Sequence, residues 1–183
     1  MATIPHLLTY EEMLAMPRET EGKEEVVRGE LRRMPPNDYP HAEVIQRLIS
    51  RMVRQIDEKQ IAILGSNFGL LISRDPVTCR IPELALYWRD KMTIRDKLYH
   101  SAPGLIVEVL SPSETKRRKQ EKLEDYASIG VPEVWIVSPE AQSVEVRLLS
   151  SGVLSTSAIL IAGDLRPSLF PGVSIPVRDL WPD

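Results

Sequence analysis

Two glutamates stand where carboxylates are least expected. Glu108 interrupts the aliphatic run "LIVEVL", and Glu83 follows Pro82 in "RIPELALYW". Leu105, Ile106, Val107, Val109 and Leu110 read as a strand covered on both faces, where an ionised side chain is unfavourable unless something pairs with it. If the two strands are neighbours, their carboxylates reach one spot and repel each other unless a proton or a cation lies between them. Hard oxygen ligands with waters completing the shell are what magnesium requires. The same acids also suit a structural role, each paired with a nearby arginine or facing water at a strand end.

A basic segment follows Glu108 directly. "KRRKQEKLEDY" carries Lys116, Arg117, Arg118, Lys119 and Lys122, and helical spacing puts Lys119, Lys122 and Tyr126 on one face. A lysine reaching from that face toward Glu108 could neutralise a phosphate or position an attacking water. The alternative is a solvated helix face whose local partners are Glu121, Glu124 and Asp125. Glu25 and His41 are the remaining candidates, although a histidine at a helix start is more often a surface or capping residue. No GxxxxGK[ST] loop, GxSxG elbow or HExxH helix occurs, which argues against ATPase, serine-hydrolase and zinc-protease chemistry.

The elements that must position these residues are legible in outline. "LLTYEEMLAMP" predicts a short helix with a Thr9–Glu12 capping box, a Leu8–Met13 staple and a stop at Pro17. "KEEVVRGELRRMPP" predicts a hairpin turning at Arg28-Gly29. A long helix is expected over "NDYPHAEVIQRLISRMVRQIDEK", with Val44, Ile45, Leu48, Ile49, Met52, Val53 and Ile56 as its apolar stripe. "NFGLLIS" and "CRIPELALYW" read as two strands joined by "RDPVT". The Glu108 strand is the central one, followed by a helix that starts after Ser-Pro and ends at Gly130. "EVWIVS" and "SVEVRLL" form a hairpin, and the tail places two apolar pieces around a Pro-Gly turn. The order predicts a single α/β domain over residues 1–183, a mixed central sheet flanked by helices, with one helix crossing over after the central strand.

Composition narrows the class. The chain has 183 residues, 43% hydrophobic and 27% charged, an ordinary balance for a globular domain. A net charge of -3 means that nucleic-acid binding would need a local basic surface. The single cysteine, Cys79, permits neither an internal disulfide nor a cysteine-based zinc site, which fits a reducing cytoplasm. Neither a signal peptide nor an apolar run of the ~20 residues needed to span a bilayer is expected.

The segments "EEVVRGEL", "PHAEVIQRL", "RIPELALY", "LIVEVLSPSE", "EKLEDYASIGVPEVWIVSPE" and "LFPGVSIPVRDLW" together resemble the bacterial Uma-type restriction endonuclease family of the PD-(D/E)xK nuclease superfamily. The resemblance covers nearly the whole chain and implies a restriction-endonuclease-like core that binds Mg2+ or Mn2+ and cleaves nucleic acid, with DNA as the expected substrate. It implies that Glu83 and Glu108 are the metal-binding acids, that Lys122 supplies the lysine, and that Glu25 and His41 support them. Arg117, Arg118 and Lys119 are then expected to hold flanking phosphates. The chain departs from the family pattern at Glu83, Arg28 and Ser138, and from the wider superfamily pattern at Leu110. Glu83 replaces the usual aspartate, Leu110 stands where the superfamily places its lysine, Arg28 replaces an acid before the hairpin glycine, and Ser138 replaces an aspartate. A homodimer is expected on symmetry grounds, since two strands suit two sites. The rival expectation is a protein that keeps the fold without the chemistry and serves as a nucleic-acid or protein interaction module.

Overall fold

The computed structural model describes residues 6–17, 23–34, 39–65, 67–112 and 114–182. Residues 1–5 of the N-terminal stretch, Pro35 and Pro36 of the hairpin, the expected helix start at Asn37-Asp38, and Ser113 lie outside the described residues. The chain runs α1 (Tyr10–Ala15), β1 (Lys23–Val27), β2 (Glu30–Met34), α2 (Tyr39–Val53), β3 (Ile61–Gly65), β4 (Leu70–Arg74) and β5 (Val77–Arg80). It continues through β6 (Leu84–Trp88), β7 (Ile94–Arg95), β8 (Leu98–Tyr99), β9 (Leu105–Val109), α3 (Lys116–Ser128) and β10 (Glu133–Ser138). It closes with β11 (Ser143–Ser150), β12 (Val153–Leu160), β13 (Asp164–Leu165) and β14 (Ile175–Pro176).

Local chemistry sets the ends of these elements. Thr9 caps α1 and Glu12 returns a bond to the Thr9 backbone, completing the expected capping box. The β1–β2 hairpin turns through Arg28 (φ 52) and Gly29 (φ 82), the two left-handed positions that a two-residue turn demands. Thr115 caps α3, and Gly130 follows it at φ +83. Helix α2 ends at Val53 rather than running on toward Lys59. Ile56 lies beyond its end yet still packs on the core.

The expected mixed sheet flanked by helices is present, and among the described residues the strands form two six-stranded sheets, ordered β2-β1-β5-β4-β8-β7 and β12-β11-β10-β9-β6-β3. The expected single strand "CRIPELALYW" supplies both. Its first part is β5 of one sheet and its second part is β6 of the other, with Ile81, Pro82 and Glu83 carrying the chain between them. Pro82 has no N–H to give to a ladder, so the strand breaks there. In the second sheet β9 lies between β10, with which it runs parallel, and antiparallel β6, and α3 is the crossover from β9 to β10. Two strands that the sequence did not suggest, β3 and β12, form the edges of this sheet.

Alternation along the strands separates two cores. Leu84, Leu86, Leu105, Val107, Val109, Trp135 and Val137 pack with Val44, Ile45, Leu48 and Met52 of α2. Ala85, Tyr87, Ile106, Val134 and Ile136 pack with Leu123 and Tyr126 of α3. The tail closes the α2 side: β13 and β14 pair through Leu165 and Ile175, and Phe170, Val173, Val177, Leu180 and Trp181 are buried there.

Candidate active site

Glu108 lies on β9 one step from Val107, and its parity matches that of Ile106, so its carboxylate leaves the sheet on the α3 side. Glu83 immediately precedes β6. The β6–β9 register pairs Leu84 with Val107, and one further step sets Glu83 opposite Glu108. Both are buried, at 6% and 3% exposure. The two acids thus stand at adjoining positions, one within β9 and one just before β6. Like charges at that position must be compensated, and the protein compensates each of them separately.

Helix α3 compensates Glu108. Lys122 Nζ donates to Oε2 at 2.8 Å, and the Tyr126 hydroxyl, one turn further on, donates to Oε1. Glu114 Oε2 is 3.7 Å from the same ammonium. Burial pushes the Glu108 carboxyl up, but Lys122, Tyr126 and the more distant Lys23 outweigh it and hold it below its ordinary value. Lys122 is held above its ordinary value: burial works against the charge, and Glu108, Glu25 and Glu114 overcome it. The Tyr126 hydroxyl is raised well above its ordinary value by burial and by the Glu108 and Glu25 charges, so it keeps its proton as a donor.

Glu83 is compensated from other elements. Lys23, the first residue of β1, forms a close ion pair with Glu83 Oε2, and His41 near the start of α2 brings Nε2 to 3.5 Å from Oε1. Lys23 is buried, with 9% exposure. Sequence reasoning passed over it as a hairpin residue. The signal was its spacing: β1 turns Lys23, Glu25 and Val27 to one buried face. The acid at Glu25 therefore implied an inward lysine two residues before it.

The structure gives Glu25 a different setting from that of the two site acids. Its carboxylate accepts from Arg80 Nη1 at 2.9 Å and from the Ile81 backbone N–H at 3.0 Å, and Arg80 also binds Asp125 at 2.6 Å. Arg80 is 2% exposed, and the two acids hold its guanidinium above its ordinary pKa in spite of burial. This network ties β1 and α3 to the segment that delivers Glu83. Arg28, which stands where the family has an acid, reaches the same Asp125 at 3.8 Å. Arg80, Glu114 and Lys23 are polar residues of this region that the sequence did not single out, and Asp125, expected as a local partner on the helix, pairs with Arg80.

A cleft beside Glu108 is lined by Leu110, Glu114, Lys119, Lys122, Leu123 and Tyr126. The helical face on which Lys119, Lys122 and Tyr126 were expected together is the face that borders it. Arg117 and Arg118 are exposed; Arg117 pairs along the helix with Glu121, and Lys119 pairs with Glu145 of β11 at 3.4 Å. Leu110 contributes an apolar wall.

Among the described residues no group of three histidine, cysteine, aspartate or glutamate side chains is arranged to hold a metal ion. Magnesium and manganese do not need three, since one or two carboxylates plus waters and a substrate phosphate complete the shell. The paired acids supply that minimum in donor type, and the Lys23 ammonium on Glu83 is a stand-in cation that shows the position accepts positive charge. On donor chemistry the residues fit the metal.

The mixed sheets with helices packed against them form a restriction-endonuclease-like fold. It matches the crystal structure of a "putative nuclease belonging to DUF820" from Anabaena variabilis with a TM-score of 0.79 and 16% identity, over 95% of this chain and 97% of that one. The family model described as "Uma2: Putative restriction endonuclease" matches residues 10–178, and the chain belongs to that family. No curated protein matches the chain. No helix among the described residues is long and apolar enough to cross a membrane.

Proposed function

We propose that this protein is a metal-dependent endonuclease that hydrolyses phosphodiester bonds in DNA, with Mg2+ or Mn2+ held by Glu83 and Glu108. The observation that carries the reading is the β6–β9 register, which, extended by one residue, sets buried Glu83 opposite buried Glu108, with Glu108 lining a cleft that Lys119 and Lys122 also border. When bound, such an ion polarises the scissile phosphate and lowers the pKa of the attacking water. The protein's own residues do the rest. Tyr126 and Lys122 fix both oxygens of Glu108, and His41 helps fix Glu83. Lys122 stays protonated, so its role is to orient the water or stabilise developing negative charge, not to act as a base. Glu25 acts through Arg80 and Ile81 as a positioning residue. Arg117, Arg118 and Lys119 provide cations along the approach of α3 for phosphates on either side of the scissile bond.

The test is a cleavage assay on supercoiled and linear DNA and on RNA, with Mg2+ and Mn2+, for the wild type, Glu108→Ala and Lys122→Ala. Metal-dependent cleavage is expected from the wild type, with losses of about a hundredfold or more in both variants. The reading fails if the wild type cuts no form of DNA or RNA and calorimetry detects no metal binding. Gel filtration with light scattering tests the homodimer, and cell fractionation tests the cytoplasmic location that the single cysteine favours.

One observation favours a second reading, that of a nuclease fold used as an interaction module: both oxygens of Glu83 already face cations or an imidazole within the chain. Glu83→Asp discriminates the two, since it restores the family's shorter acid. Enhanced cleavage marks a site that is built for the chemistry but detuned. Intact DNA binding with no cleavage by either form marks the module.

A further inference from the structure

The buried acids are neutralised by an internal cation that the nuclease reading leaves without a role. Two lysines serve the pair: Lys122 holds Glu108 from α3, and Lys23 holds Glu83 from β1. The Lys23 charge also acts on Glu108 through space, so it serves both acids at once. With both ammonium groups in place the two carboxylates are already balanced, and a divalent ion arriving there meets two positive charges rather than a negative pair.

The two lysines are not equivalent. Lys122 is anchored, because Glu108 on one side and Glu114 on the other hold its ammonium beside the cleft. Lys23 is the first residue of its strand, and among the described residues its ion pair is with Glu83. Its four-carbon stem lets the ammonium withdraw while the β1 backbone stays paired with β2 and β5.

We infer that Lys23 is a resident counter-ion that occupies the cation position at Glu83 and must withdraw before a divalent ion can bind between Glu83 and Glu108. The inference rests on the assignment of those acids as the metal pair and adds a competitor for their site. The protein has in Lys23 a device that keeps two buried, opposed carboxylates stable without metal, and its consequence is weak metal affinity in the free protein.

The experiment is a calorimetric titration of Mn2+ into the wild type, Lys23→Met, Lys23→Arg and the double variant Lys23→Met/Glu83→Gln, each checked for folding by circular dichroism. Removing a unit charge a few ångströms from a divalent ion is expected to tighten Mn2+ binding by about tenfold or more in Lys23→Met. Lys23→Arg keeps the charge and stays near the wild type, and the double variant loses the gain. Lys23→Gln replaces Lys23→Met if the latter does not fold. Equal or weaker Mn2+ binding on loss of the Lys23 charge overturns the inference. A wild type that cleaves with metal while Lys23→Met binds Mn2+ no tighter sinks this inference and keeps the nuclease. A wild type that never cleaves, beside a Lys23→Met that gains affinity, does the reverse.

Discussion

Two buried ionic clusters lie side by side and solve the same problem in opposite ways. In Glu25–Arg80–Asp125 one guanidinium sits between two acids, and Glu25 accepts a further backbone bond from Ile81. In the Glu83–Glu108 cluster the two acids face each other and each has its own lysine, one beside a cleft. In the first arrangement one buried cation is shared by two acids, and Asp125 has the exposed Arg28 as a second, longer neighbour at 3.8 Å. In the second each acid has a lysine of its own, and under the proposed function an outside cation competes for the same oxygens. The difference separates a clamp from the site proposed for chemistry, although the acids of both are buried.

Removing the centre of the clamp should have the largest effect on folding. Arg80→Met leaves Glu25 and Asp125 buried without their cation, and a loss of about 3–5 kcal/mol is expected in urea denaturation. The site should respond differently. Glu108→Gln keeps the shape and leaves Lys122 its Glu114 neighbour, so a smaller loss of about 1–3 kcal/mol is expected while metal-dependent cleavage disappears. A Glu108→Gln protein as unstable as Arg80→Met would erase the distinction between the clusters. Tyr126→Phe removes one donor from a charged acceptor, and about 1.5–3 kcal/mol is the expected upper range by the same melts.

The pH profile sharpens the comparison further. Glu108 is held below its ordinary 4.5, so its contribution is complete above that pH and falls away as acid titrates it in the folded protein. Lys122 and Tyr126 are held above 10.5 and 10.0, so theirs are complete below those values and fall away as the pH rises past them. Stability from the site should therefore be level between about pH 4.5 and 10 and decline on both sides, as thermal melts across that range would show. Arg80 stays charged throughout, so Glu108→Gln should lessen the acid-side decline and Arg80→Met should not abolish it. The smallest effect belongs to the surface: Arg117→Ala, which breaks only an exposed pair with Glu121, should change stability by about 0.5 kcal/mol or less.

What could be read from the sequence followed short-range chemistry. The capping box at Thr9, the turn at Arg28-Gly29, the burial of Glu108 and the helix that carries Lys122 all depend on a few adjacent residues. Departures arise where distant partners decide. The strand break at Pro82 was hidden because the residues on either side of it are buried strand residues, and only the second sheet reveals that they diverge. Edge strand β12 escaped notice because its faces are largely exposed and rich in serine and threonine. Lys23 was overlooked because a lysine in a hairpin is ordinarily solvated, and its burial depends on Glu83, far along the chain.

The sidedness of the core gives the protein a built-in optical label. Its tryptophans, Trp88, Trp135 and Trp181, all belong to the α2 side, and Trp135 donates its indole N–H to buried Glu133, whose other oxygen accepts from Ser168. The α3 side, where the acids lie, is furnished with tyrosines instead. Emission excited at the indole band therefore reports on one half of the molecule. It will change when the tail detaches or the fold melts, and it will hold steady while charges exchange around Glu108.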